Sequence, residues 1–217
     1  MMHSWHYKLI IVIAIVFYLS MVGMVALEIP TIGYSTKVTA TVETDLYGGV
    51  LIVQTDSGQG SCFVVAQKDG WFYAITARHV AEGTIWVTVD SEVYDAEVVR
   101  VDSQVDAAMI RFKSPEKYKI YEFGTAEVGK ACTTVGWNGD SRLLYKGYVV
   151  SVDFRGFVAA NGGVLPGCSG GVLLDEKGLA IGITVASPVY GMSVFDSTAL
   201  YVPIRFAKAM IVAVLGE

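Results

Sequence analysis

From about residue 37 to residue 202 the chain is a succession of short β-branched runs closed by turn signals, and that rhythm limits the folds open to it. The runs are Lys37–Thr44, Val50–Thr55, Cys62–Gln67, Trp71–Thr76, Thr84–Val89, Ala96–Val101, Ala107–Phe112, Ala131–Trp137, Leu144–Phe154, Phe157–Ala160, Gly171–Leu174, Leu179–Ala186 and Ala199–Val202. Asp56-Ser57-Gly58, Lys68-Asp69-Gly70, Asn138-Gly139-Asp140, Asn161-Gly162-Gly163 and Glu176-Lys177-Gly178 punctuate them. Many short strands with regular turns imply an all-β sandwich or fused barrels. Only the end reads as helix: Pro203 suits a first helical turn, and Phe206, Met210, Ile211 and Val214 recur at helical spacing. The polar stretch Ser114-Pro115-Glu116-Lys117 divides the runs into two halves, with no internal repeat evident.

Ahead of the strands, Leu9 to Leu27 is a run of 19 residues without a charge. It raises the mean hydropathy to +0.49 and approaches the roughly 20 residues that cross a bilayer as a helix. Lys8 precedes it, Glu28 follows, and the next base is Lys37, which favours the N-terminus inside and the remainder outside. A cleaved signal peptide, leaving a secreted protein, is the competing reading. Against it, Met24 fits poorly at position −3 from Ala26, and the apolar run exceeds an ordinary signal-peptide core. A core helix would show a polar face, and this span has none. The net charge of −5 and the lack of a basic cluster exclude nucleic acid as a partner. Three cysteines, Cys62, Cys132 and Cys168, allow at most one disulfide and match no zinc spacing, so neither metal nor cofactor is expected.

The chemistry concentrates in three places. Gly167-Cys168-Ser169-Gly170-Gly171-Val172 sets a serine among glycines, a turn able to aim N–H groups at one point. His79, in Ile75-Thr76-Ala77-Arg78-His79-Val80, is the only histidine beyond the hydrophobic span, since His3 and His6 precede it. Asp106 enters the apolar run Ala107-Ala108-Met109-Ile110, with Asp102 as its nearest rival. A serine hydroxyl needs a base within reach, an imidazole can accept and return a proton near pH 7, and a carboxylate can fix that imidazole. The order His, Asp, Ser also separates this arrangement from the subtilisin and α/β-hydrolase orders.

These segments resemble those of the trypsin-like serine proteases of the chymotrypsin fold, most closely the HtrA/Deg branch. Gly60-Ser61-Cys62-Phe63-Val64-Val65 resembles that branch's Gly-Ser-Gly-Phe-Ile-Ile strand, and Thr76-Ala77-Arg78-His79-Val80 the segment around its histidine. Asp102 to Ile110 resembles the aspartate segment, Leu165 to Leu174 the nucleophile segment, and Leu179 to Thr184 the substrate-binding strand. The resemblance implies two six-stranded antiparallel barrels, at about 50–113 and 118–202, with a C-terminal helix over 203–215. Residues 1–8 would form a flank, 9–27 the transmembrane helix, and 28–49 a juxtamembrane segment and first strand. It implies a His79, Asp106, Ser169 triad, oxyanion donors at Gly167 and Ser169, and a pocket near Gly163, Val185, Ala186, Ser187 and Ala199, flanked by Thr198 and Leu200. No acid stands at those pocket positions, so the residue before the scissile bond should be small or medium and apolar.

Departures accompany the match. Cys168 stands where secreted digestive relatives carry an acid, which excludes activation by a freed N-terminus. Cys62 replaces a glycine and would narrow the primed side. No PDZ-sized tail follows the last helix. The expected protein is a membrane-anchored serine endopeptidase acting on proteins or peptides outside the cytoplasm. A catalytically silent peptide- or partner-binding module, motivated by the two cysteines, and a single-turnover self-processing protease are its rivals.

Overall fold

A computed structural model describes residues 47–56, 58–186 and 198–216, with Ala186 given by its backbone alone. The expected span at Leu9–Leu27 and the run Lys37–Thr44 lie outside the described residues. Among those described, no helix is long and apolar enough to cross a membrane.

Twelve strands close into two antiparallel barrels. The first holds β1 (Val50–Thr55), β2 (Gly58–Lys68), β3 (Trp71–Thr76), β4 (Ile85–Val89), β5 (Glu92–Val101) and β6 (Ala108–Phe112). The second holds β7 (Ala131–Asn138), β8 (Ser141–Val152), β9 (Val158–Asn161), β10 (Val172–Asp175), β11 (Ala180–Ala186) and β12 (Thr198–Pro203), and helix α1 (Arg205–Leu215) follows. The pairing orders, β1-β2-β3-β6-β5-β4 and β7-β8-β9-β12-β11-β10, are the same wiring used twice. Ser114 to Lys117 lie in the segment that joins the barrels. Farther along it, Tyr121 N donates to Val64 O at 3.0 Å and Gly124 N to Ala180 O at 2.8 Å, tying the connection to both halves.

Two details depart from expectation. Pro203 does not open the helix; it closes β12, where it stands opposite Gly182. Its missing N–H is tolerated there because only β11 faces Pro203, the pairing of β12 with β9 ending at Tyr201. Strand β5 begins at Glu92, earlier than the apolar pattern indicates, because Asp90 (φ 46°) and Ser91 (φ 75°) supply a tight two-residue turn without glycine.

Apolar residues on both strand faces explain why several runs read as continuous rather than alternating. In β2, Cys62 and Val64 face the interior of the first barrel beside Phe72, Ala74 and Ile110. Phe63 and Val65 face the seam, where Ile75 and Met109 meet Val135, Val172 and Ile183 of the second barrel and Met210 of α1. The second barrel has its own interior of Val149, Leu173, Ile181 and Tyr201. Each barrel is thus filled separately, and a third apolar cluster fixes one barrel on the other.

Candidate active site

The chain leaves β3 through Ala77, extended at φ −74° and ψ 145°, and makes one 3-10 turn over Arg78–Val80. Val80 is the buried anchor of that turn, which leaves the His79 side chain 47 % exposed. Asp106 reaches it from the loop before β6. Asp102 Oδ1 accepts from Gln104 N at 2.8 Å and Val105 N at 3.1 Å, Val105 is buried, and the next side chain is delivered to His79. Asp106 Oδ2 lies 2.6 Å from His79 Nδ1, and His79 N donates to Asp106 Oδ1 at 3.0 Å. The carboxylate therefore holds both the ring and the backbone of the histidine. The hydrogen bond to Asp106 raises the imidazole above its ordinary value, with partial burial pulling the other way. Burial pushes Asp106 up, but the hydrogen bonds from His79 and the charges of His79 and Arg78 outweigh it and hold the carboxyl below the usual range. With Nδ1 committed to Asp106, Nε2 is the atom free to take a proton.

The second barrel supplies the serine from the connection between β9 and β10. Gly167 (φ +92°) and Gly170 (φ +84°) take conformations that a side chain would oppose. A Cβ on Gly170 would sit 2.1 Å from Ser61 O and 2.9 Å from Ala77 N, so only glycine lets the serine's turn lie against the end of β3. Ser61 N donates to Ser169 O at 2.7 Å, Gly170 N to Thr184 O at 2.7 Å, Gly171 N to Cys168 O at 2.8 Å and Cys168 N to Leu165 O at 3.1 Å. Among the described residues, the N–H groups of Gly167 and Ser169 have no acceptor. Among the described residues the turn thus leaves two donors free while satisfying those of Cys168, Gly170 and Gly171. The Ser169 hydroxyl makes one long hydrogen bond, 3.4 Å to Val185 O.

A family profile for the trypsin-like peptidase domain matches residues 60–183. The chain belongs to that family. It is 30% identical over 179 residues to a probable periplasmic serine endoprotease, DegP-like, of Chlamydia trachomatis serovar D, a match covering 76% of this chain and 35% of that one. It is 30% identical over 150 residues to the serine protease Do-like HtrA of Bacillus subtilis strain 168, covering 59% and 33%. The chain spans about a third of the length of these curated relatives. Among solved structures, the HtrA-type protease AlgW with tripeptide superposes with a TM-score of 0.67 at 22% identity, covering 82% of this chain and 64% of that one. A serine endoprotease from Yersinia pestis gives 0.67 at 18% identity, covering 85% and 66%. These two likenesses establish the fold.

In this trypsin-like peptidase the seam carries polar residues that the sequence reading did not single out. Ser61 is fully buried, donates its hydroxyl proton to Gly167 O at 2.7 Å and accepts from Trp137 N at 2.9 Å. Thr76 Oγ1 in turn donates to Ser61 O at 2.7 Å. The available signal was a hydroxyl directly before the apolar run Cys62–Ala66, which needs a partner once buried. Of the expected pocket residues, Val185 lies beside Ser169, and Gly163 holds φ +59° in the segment leading to it. Ala199 is fully buried on β12, with Tyr201 and Val149 in the second barrel's interior. Ala186 ends β11, and Ser187 lies outside the described residues.

The expectation that Cys62 narrows the primed side is corrected: its side chain is fully buried in the first barrel's interior, because strand alternation sends Phe63 rather than Cys62 toward the seam. All three cysteines are unpaired thiols. Burial pushes Cys62 and Cys168 up, and Cys132 to about 11. Thiols held protonated in this way are poor nucleophiles.

Proposed function

We propose that this chain is a serine endopeptidase in which Ser169 attacks a peptide carbonyl, His79 takes the hydroxyl proton at Nε2, and Asp106 orients the imidazole and stabilises its protonated form. The N–H groups of Gly167 and Ser169 receive the oxyanion, each such donor contributing on the order of 3 kcal/mol in the transition state. Collapse of the tetrahedral adduct breaks the C–N bond, His79 returns its proton to the leaving amine, and water then hydrolyses the acyl ester on Ser169 by the reverse path. The serine's 3.4 Å bond to Val185 O is weak enough to be given up to a base. The observation that carries the reading is the pair of N–H groups without an acceptor among the described residues, on a turn packed against Ala77 at the start of the His79 turn, where His79 Nδ1 lies 2.6 Å from Asp106 Oδ2.

A small or medium apolar residue before the scissile bond is favoured, since Gly163, Val185, Ala186 and Ser187 of the expected pocket bring no carboxylate to pair with a basic side chain, and Ala199 is buried in the barrel interior. The uncharged run Leu9–Leu27 supports a single membrane anchor. The name of the Chlamydia relative, a periplasmic endoprotease, supports placing the barrels on the non-cytoplasmic side.

Fluorophosphonate labelling of the full chain, with Ser169→Ala and His79→Ala controls and circular dichroism on each, tests the reading. Labelling confined to wild type is expected. No labelling of folded wild type, with retained affinity for an extended peptide, would replace the enzyme by a silent binding module. A longer species in Ser169→Ala than in wild type would mark a protease that cuts itself. A cleavage profile dominated by Lys or Arg would overturn the apolar preference.

A further inference from the structure

The free donor at Gly167 sits on a peptide that nothing in the turn itself holds in place. The Pro166–Gly167 peptide leads directly into Gly167's own φ of +92°, and glycine's wide conformational range makes rotation of that peptide inexpensive. Cys168 N–H and the Gly167 carbonyl fix the following peptide, through Leu165 O and Ser61 Oγ, not this one. In a trans peptide the carbonyl and the N–H point in opposite directions. Whatever holds the Pro166 carbonyl therefore decides where the Gly167 N–H points.

The group that holds it is the Asn138 amide, whose Nδ2 donates to Pro166 O at 2.6 Å. Asn138 is the last residue of β7, opposite Ser141 across a two-residue turn. The register is close: a Cβ on Gly167 would meet Trp137 O at 2.6 Å and Asn138 Cα at 3.2 Å. The serine's turn thus rests on the end of β7, and the asparagine is the first side chain beyond that contact. Gln59 Nε2 ties the same hairpin to the first barrel through Gly139 O at 2.8 Å.

We infer that Asn138 is a positioning residue for the oxyanion site: by holding the Pro166 carbonyl away from Ser169, it keeps the Gly167 N–H turned toward the reacting carbonyl. This rests on the serine-endopeptidase reading. Loss of the amide frees the peptide to rotate, which removes one donor from part of the population. The expected penalty is about tenfold, or about 1.4 kcal/mol, the scale of one hydrogen bond.

The test uses the full chain as wild type, Ser169→Ala, Asn138→Ala and Asn138→Asp. The last keeps the size and turn preference of asparagine but replaces the donor by oxygens that repel Pro166 O. Acylation by p-nitrophenyl acetate is followed against pH, affinity for phenylboronic acid reports the tetrahedral adduct, and thermal melts report the fold. Both Asn138 variants should lose about tenfold in acylation and a similar factor in boronate affinity, with the acid limb of the pH profile and the melting temperature unmoved. Wild-type rates and boronate affinity in both variants would overturn the inference. So would a loss that tracks unfolding in both, or one that comes with a shifted limb, since the residue would then act through the fold or through His79. If wild type itself neither acylates nor binds the boronate, the endopeptidase reading fails. Asn138 is then judged by a crystal structure of Asn138→Ala, where an unmoved Pro166 carbonyl would overturn its role.

Discussion

In the first barrel the connection after the third strand carries His79, and in the second the connection after the third strand carries Ser169. The wiring is the same, but the two connections are held differently. The His79 turn is short, anchored by its own Val80, and locked by Asp106 from the same barrel through two hydrogen bonds. The Ser169 turn is glycine-rich and takes partners from outside its barrel: Ser61 N and Ser61 Oγ, both on β2, hold Ser169 O and Gly167 O. The His79–Asp106 half is therefore self-contained, whereas the Ser169 half has its shape only while the barrels stay docked. Substitution of Asp106 should alter proton chemistry with little change in fold, and substitutions in the seam should lower stability and acylation rate together.

The largest expected effect is on the self-contained half. Asp106→Asn should lower kcat by about 10⁴-fold while the melting temperature changes little. The sign of its pH effect follows from the cause of the shift. In the proposed mechanism neutral His79 is the working base, and Asp106 raises its pKa, so wild-type activity should disappear as pH falls through a value above about 6.5. Removing the carboxylate removes the principal cause of that rise and should move the acid limb to lower pH. A limb that stays in place would show that Asp106 does not set the charge of His79.

Next in size is the seam core. Phe63 is fully buried there and stacks edge-on with Tyr121 at a centroid distance of 6.0 Å. Phe63→Ala should cost about 3–5 kcal/mol of stability. Because the seam joins the barrels, the loss should appear in one cooperative unfolding transition, read by differential scanning calorimetry. Two separated transitions would mean that the barrels are stable apart, and the contrast between the halves would fail. Ser61→Ala is smaller: it leaves Trp137 N–H and Gly167 O without their partner, at about 1–3 kcal/mol. Unlike Asp106→Asn, it should lower both melting temperature and acylation rate while leaving the acid limb alone.

How far the sequence could be read differs between the same two regions. Strands were legible throughout because β-branched runs and Gly- or Asp-rich turns are local signals, and each run from Val50 onward contains or overlaps a strand of the structure. The repeated wiring was not legible, since register and burial carry it, and the two halves share no evident residue pattern. Pro203 misled because a fixed φ is equally at home at a strand's end. The place of Cys62 follows from its parity relative to Phe63, which decides the face and which a match to a glycine position does not carry. Ser61 escaped because its partners, Gly167 and Trp137, are 106 and 76 residues away in sequence, and nothing local announces such a bond.

Asp102 gives the smallest and most selective effect. In sequence it competes with Asp106 for the place beside the histidine, and only its distance from the apolar run counted against it. In the structure its carboxylate is spent on the N–H groups of Gln104 and Val105, at 2.8 and 3.1 Å, and so shapes the loop that presents Asp106. Asp102→Asn keeps an acceptor oxygen at the same place and should be nearly silent. Asp102→Ala removes it and should cost about 1 kcal/mol of stability, with less than a tenfold fall in acylation and no movement of the acid limb. The two aspartates thus separate on one axis: a limb that moves identifies the carboxylate bound to His79, and a melting temperature that moves alone identifies the one that builds its loop. A limb shifted by Asp102→Ala as far as by Asp106→Asn would reverse their assignment, and with it the claim that the first barrel completes its half of the site through a single carboxylate.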